Sequence, residues 1–284
     1  LRSYGGRWIR SDMVRDGATV AAQVGQSSSV TRAIARAGLT LIYPGQEQFA
    51  DRLPAAPAVN EKIVIFTDAR TMRECPACDP VPLVSPTALQ DIILQLYGPD
   101  ATGQVDAANV SSFTYRDLSA SLLAPLDYPE VEAAIDQARW ILFAQLDQRP
   151  QEYPESTALS DFLARRSDGL RDKRIVALAF AAPYYLDTTE VSKLTAYFGI
   201  YAHTAPFLET AVRALFREFT PVGAPPVTVT GINYELINQL EAAPGQVIAL
   251  APAGSGDVIT GSIQVGSQIA LETGIILDRK GHPV

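Results

Sequence analysis

The chain has 284 residues, 47% of them hydrophobic and 19% charged, and a formal net charge of −8. That size and balance suit one large α/β domain or two smaller ones with a sizeable core, and exclude a disordered chain. No apolar run approaches the roughly 18 residues needed to span a bilayer. The negative charge argues against nucleic acid or an anionic membrane as partner.

Residues 1–27 mix glycine with scattered charge and suit a linker. The chain starts on Leu1 without a signal-peptide pattern and stops at "GHPV", so both ends are expected to be cuts in a longer protein. "KIVIFTD" (Lys62–Asp68) is a β-branched run, hence a buried strand.

Cys75 and Cys78 follow in "ECPACDP", a loop with Pro76, Pro80 and Pro82. Three readings stay open: a local disulfide or two inert thiols, a weak metal contact, or a redox pair. A structural zinc takes four ligands, and the histidines, His203 and His282, are far away in sequence, so no metal is expected.

"SPTALQDIILQLYG" (Ser85–Gly98) predicts a helix capped by Ser85, with Pro86 first and Gly98 as its stop. Leu89, Ile92, Ile93 and Leu96 share one face. "NVSSFTY" (Asn109–Tyr115) is a more polar strand. Asp127 and Glu130 form a capping-box pattern before "VEAAIDQA". "RWILFAQL" (Arg139–Leu146) reads as a strand, and "STALSDFLARRSDG" as a helix stopped by Gly169. Ile175–Ala181 is a buried strand; Pro183 ends it because proline cannot donate to a ladder.

"AYFGIYA" (Ala196–Ala202) is the next strand. Thr204 caps an amphipathic helix with Phe207, Leu208, Ala211, Val212, Leu215 and Phe216 on its apolar stripe. "PVTVTG" (Pro226–Gly231) closes the series as a sixth strand. From Pro244 helical periodicity stops, and residues 244–284 read as β-hairpins. Alternating strands and helices predict a three-layer α/β/α sandwich over 28–243, with a mostly parallel sheet of about six strands and a β-rich C-terminal extension.

Sheets of this kind bind ligands outside the carboxyl ends of their strands. No cofactor is expected: "TDARTMREC" has no glycine, and neither G-x-G-x-x-G nor G-x-x-x-x-G-K-[ST] occurs. The nucleophile elbow G-x-S-x-G is missing, and "GSGD" (Gly254–Asp257) reads as a turn. His203 lies at a strand-to-helix turn, either solvated or functional. Asp68 and Asp187 follow two of the strands, as substrate ligands or as acceptors for turn N–H groups.

Arg174–Val229, "RIVALAFAAPYYLDTTEVSKLTAYFGIYAHTAPFLETAVRALFREFTPVGAPPVTV", resembles the C-terminal α/β sandwich domain of glycoside hydrolase family 3, most closely its β-N-acetylhexosaminidase-like branch. The likeness lies in Pro183-Tyr184 after an apolar strand, Tyr201 after the next, the Thr204–Glu218 helix, and Pro221–Val227. "VTRAIARAGLTLI" (Val30–Ile42) is similar to the family's segment joining barrel and sandwich, and "LRSYGG" to the end of the barrel's last helix. The resemblance covers about residues 28–240. It departs at Arg217, where the family has glycine, and at Ala224-Pro225, where it has Lys-Leu.

The family's nucleophilic Asp, and in this branch its His–Asp acid/base pair, lie on a (β/α)8 barrel preceding this domain. A barrel takes about 250 residues, so the resemblance implies that it is missing from these residues and that no residue here is catalytic. It implies a non-catalytic domain packed beside that barrel, shaping a carbohydrate pocket with Tyr184, Tyr185, Asp187 and Asp68, in an enzyme acting on β-linked (N-acetyl)hexosaminides. Tyr184 and Tyr185 either stack on sugar or pack against the preceding helix. The alternative is a carbohydrate- or protein-binding scaffold module without activity.

"TGIILDRKGHPV" resembles the opening of an immunoglobulin-like β domain of surface proteins. That implies an exported or cell-surface bacterial protein, where a Cys75–Cys78 disulfide is chemically reasonable.

Overall fold

A computed structural model describes residues 3–4, 7–8, 25, 27–44, 55–73, 75–166, 169–232, 234–239, 241–243, 245–253, 264–266 and 268–278. The chain divides into two units, Leu1–Ala224 and Pro225–Val284.

The layered part of the first unit opens on helix α1 (Ser28–Gly38) and strand β1 (Thr40–Tyr43). Strand β2 (Ile63–Thr67) is buried throughout, as its β-branched run requires. Then come α2 (Ala88–Tyr97), β3 (Val110–Thr114), α3 (Tyr115–Leu123), α4 (Pro129–Gln137) and β4 (Trp140–Gln145). Helix α5 (Ala158–Arg165), β5 (Arg174–Ala179), the short α6 (Thr188–Ser192), β6 (Ala196–Gly199) and α7 (Ala205–Leu215) complete it.

The six strands form one sheet in the order β1-β6-β5-β4-β2-β3. All neighbours are parallel except β1, which runs antiparallel to β6 at the edge. This is the three-layer sandwich with a mostly parallel sheet that the alternating pattern predicts. One strand differs. The sixth is Thr40–Tyr43, not Pro226–Gly231, whose residues supply only a bridge at Val229 and the start of a 3-10 turn, Thr230–Ile232. Thr40, Leu41 and Ile42 are buried, and their strand pairs with the edge that β6 would otherwise expose.

One face of the sheet carries Ile63, Ile65, Leu142, Ala144, Val176, Leu178 and Phe198 into a core with Leu89, Ile93, Leu208 and Val212 of α2 and α7. On the other face Phe66 stacks on Phe113 and Phe143, and Phe143 meets Tyr115 and Phe162 of α3 and α5.

Caps are placed by local chemistry that sequence spacing misassigns. Helix α2 starts after Thr87, whose hydroxyl donates to Asp91, rather than after Ser85. Helix α4 starts after Tyr128 with Pro129 in its first turn, and Asp127 closes a 3-10 turn instead of a capping box. The capping boxes are Thr114 with Asp117 and Asp187 with Glu190. Arg217 has φ 63°, the left-handed region that ends many helices and favours glycine.

In the first 27 residues Ser3–Tyr4 pairs antiparallel with Arg7–Trp8 rather than ending a helix, and most of the remainder lies outside the described residues. In the second unit Leu250–Pro252 pairs antiparallel with Leu271–Thr273, and Ala242 bridges to Asp278. "GSGD" and residues 279–284 lie outside the described residues. Among the described residues no helix is long and apolar enough to cross a membrane.

Candidate functional site

The strand order sets the place to look. From β2 the chain crosses to β3 on one side, and from β4 to β5 on the other. The carboxyl ends of β2 and β4 therefore flank the switch point, where loops part and leave room for a ligand.

A charged cluster fills the floor of that crevice. Asp68 directly follows β2 and is 1% exposed. Arg70, its side chain 3% exposed, donates from Nε to Asp68 Oδ1 at 3.0 Å and from Nη2 to Asp68 Oδ2. The same guanidinium donates to the carboxylate and to the backbone oxygen of Asp147, in the loop after β4. Tyr153 covers it, with its ring centroid 4.5 Å from Arg70 Cζ. Burial by itself would lower the pKa of Arg70, but the bonds and charges of Asp68 and Asp147 hold it above its ordinary value. Arg149 Nε donates to the other oxygen of Asp147 at 2.7 Å and keeps most of its side chain in solvent.

Tyr185 lies beside this cluster. Burial first, then the Asp147 charge, raises its pKa. Tyr184 meets it edge-to-face at 6.1 Å between centroids and is 47% exposed. Pro183, just before them in the chain, is buried. The loop after β5 thus presents one exposed aromatic ring, backed by a second, above a paired ionic floor.

The expected residues separate in this frame. Asp68 and Tyr185 come together through Arg70 and Asp147, with Tyr184 on their outer side. Asp187 is exposed and accepts the Glu190 N–H at 2.8 Å as the cap of α6. Asp68 spends both oxygens on Arg70 rather than on turn N–H groups. His203 is exposed just before the Thr204 cap. Cys75 and Cys78 are bonded to each other, with Cα atoms 5.1 Å apart, so neither sulfur is a thiolate ligand. Among the described residues no group of three or more His, Cys, Asp or Glu side chains could hold a metal.

Sequence reading missed Arg70, Asp147, Arg149 and Tyr153. Their signal is "TDAR" after β2 and "LDQRPQEY" after β4: acids and arginines immediately past two strands that turn out to be neighbours.

No protein-family model matches the chain, and no curated protein matches it. Solved structures do. A family 3 β-N-acetylglucosaminidase from Paenibacillus sp. is 12% identical over 73% of this chain and 33% of its own, at a TM-score of 0.44. The Listeria innocua β-glucosidase in complex with isofagomine is 14% identical over 82% and 31%, at 0.48. A fungal multi-domain family 3 β-N-acetylglucosaminidase is 15% identical over 84% and 22%, at 0.48. The chain spans a third or less of the length of these three proteins.

Proposed function

We propose that the chain is a non-catalytic α/β unit of a family 3 glycoside hydrolase of the β-N-acetylhexosaminidase-like branch. Its carboxyl edge forms one wall of a carbohydrate pocket beside a (β/α)8 barrel carried elsewhere in the same protein. Two things support this reading. The sequence resemblance is densest over β5, α6, β6 and α7, and its Pro-Tyr-acid element falls on the carboxyl edge at Pro183–Asp187.

The observation that carries the proposal is the exposed Tyr184 ring, seated on Tyr185 above the Arg70 cluster. An aromatic face takes up the C–H face of a sugar, and Arg149 with Asp147 on the rim can bond its hydroxyls. The same geometry supports a binding role rather than catalysis. Both Asp68 oxygens are bonded to Arg70, the arrangement of a structural ion pair. The Cys75–Cys78 disulfide supports an exported or cell-surface location, since such bonds persist in oxidising compartments.

The test is NMR titration with N-acetylglucosamine. Shifts are expected at Tyr184 and Tyr185, and Tyr184→Ala is expected to weaken binding about fivefold, the loss of roughly 1 kcal/mol of ring contact. A titration that leaves both tyrosines unmoved refutes the pocket wall. Turnover of a chromogenic N-acetylglucosaminide by this chain, abolished by His203→Ala, refutes the non-catalytic role.

A further inference from the structure

The Arg70 cluster does not use all the polar groups at this edge. On the face covered by α3 and α5, side chains fall into two levels. Phe113, Phe66, Phe143, Ala177 and Tyr197 are register partners across five parallel strands. Two residues nearer their carboxyl ends β4, β5 and β6 give the register partners Gln145, Ala179 and Gly199, while Asp68 directly follows β2 and Tyr115 opens α3 directly after β3. Residues two apart on a strand share a face, so Gln145, Ala179 and Gly199 continue the row of Phe143, Ala177 and Tyr197.

The second level changes character along its length. Tyr115 and Asp68 are large or paired. Then comes Gln145, 1% exposed, and beyond it Ala179 and Gly199 carry almost no side chain. Tyr201 folds back over the far end: a Cβ on Gly199 would lie 2.8 Å from its hydroxyl oxygen. Tyr197 lies two residues before Gly199, on the same face. Burial first, then Tyr201, Glu190 and Tyr185, residues of the carboxyl edge, raise its pKa. Burial, then Asp68, does the same for Tyr115. Both phenols therefore stay neutral and keep a proton to donate.

Both amide atoms of Gln145 and the hydroxyls of Tyr115 and Tyr197 are buried and have no hydrogen-bond partner among the described residues. Such groups are costly to bury unbonded, and an apolar strand residue at 145 would avoid the cost. The Gln145 amide, beside Ala179, carries two donors and an acceptor without partners among the described residues, so one hydrogen-bonding atom there would satisfy it.

We propose that Gln145, Tyr115 and Tyr197 form a buried binding site for hydroxyl groups at the switch point of the sheet. Gln145 donates from Nε2 and accepts at Oε1, and each phenol does either. Arg70 neutralises Asp68, so the site takes a neutral oxygen. The hydroxyl has two sources, water or a sugar hydroxyl that reaches below the Ala181–Tyr185 loop; the second rests on the carbohydrate reading of the edge.

High-resolution crystal structures of the whole chain, alone and soaked with N-acetylglucosamine, test this. An oxygen is expected within hydrogen-bond distance of the Gln145 amide and of one phenol. A water in both crystals identifies water as the source, and replacement by a sugar oxygen identifies the sugar. Either result supports the site; a Gln145 amide with no oxygen ligand in both crystals overturns it. In solution Gln145→Leu strands the phenols if the site is filled, lowering Tm by about 2–4 °C. An unchanged or raised Tm overturns the proposal. If N-acetylglucosamine leaves Tyr184 unmoved while an oxygen still sits on Gln145, the carbohydrate wall fails and the buried site stands.

Discussion

Arg70→Met is the perturbation that bears most directly on how this edge is built. The arginine makes three bonds to carboxylate oxygens and one to the Asp147 backbone oxygen. Asp147 is 22% exposed on its side chain and can regain water when the guanidinium goes. Asp68, 1% exposed, cannot. The loss is thus dominated by one buried carboxylate left without a partner, about 3–5 kcal/mol. For a folded unit of this size that lowers Tm by about 6–20 °C. Charge burial, rather than the value of the pair itself, sets this cost. The double variant Asp68→Leu/Arg70→Met should therefore recover most of the loss, since an apolar pair of similar volume is close to neutral. Urea unfolding of the wild type and three variants gives the double-mutant cycle. A single Arg70→Met within about 1 kcal/mol of wild type, or a double variant less stable than Arg70→Met, refutes the reasoning.

The remaining predictions concern the supports of the sheet. Burial would raise the pKa of Glu218, but hydrogen bonds from Tyr97 and Arg213 outweigh it and leave the group below its ordinary 4.5. A depressed carboxylate stabilises above its unfolded pKa and loses that contribution as pH falls through the folded one. The Tm gap between wild type and Glu218→Gln should be constant at neutral pH and close below about pH 4.5; a gap unchanged at pH 3 counts against the pairing. The Cys75–Cys78 bond closes a very short loop, so chain entropy grants it only about 2 kcal/mol. Dithiothreitol should lower Tm by no more than about 4–8 °C in calorimetry and leave the far-ultraviolet dichroism intact; unfolding on reduction would show a larger role. Arg217 sits at φ 63°, so Arg217→Gly should stabilise the unit by about 1 kcal/mol in urea unfolding, and a loss of stability would mean that its side chain outweighs the backbone strain.

Much of the first unit is legible in the residues alone. Val64–Phe66 and Ile141–Ala144 are continuous apolar runs, and only a strand covered on both faces accepts such runs. The stripe of α7 is similarly local, whereas β5 ends at Ala179, before the Pro183 expected to stop it. The edge strand β1 is not: Thr40–Tyr43 is short and follows a helix, and only the open side of β6 makes it a strand. Helix starts depart from the spacing pattern where a neighbouring threonine or proline competes for them, as at Thr87 and Pro129.

The candidate site divides along the same line. Apolar spacing by itself puts Tyr184, Tyr185 and Asp187 past a strand end, because the apolar run is a property of contiguous residues, although β5 already ends at Ala179. The partners of Asp68 lie outside that reach. Asp147 is 79 positions from Asp68, and the two share Arg70 only because β2 and β4 are neighbours. Strand order decides that adjacency, and strand order is set by how helices cover both faces of the sheet. Spacing along one chain carries periodicity and breaks; which loops converge on a buried charge is settled by packing alone.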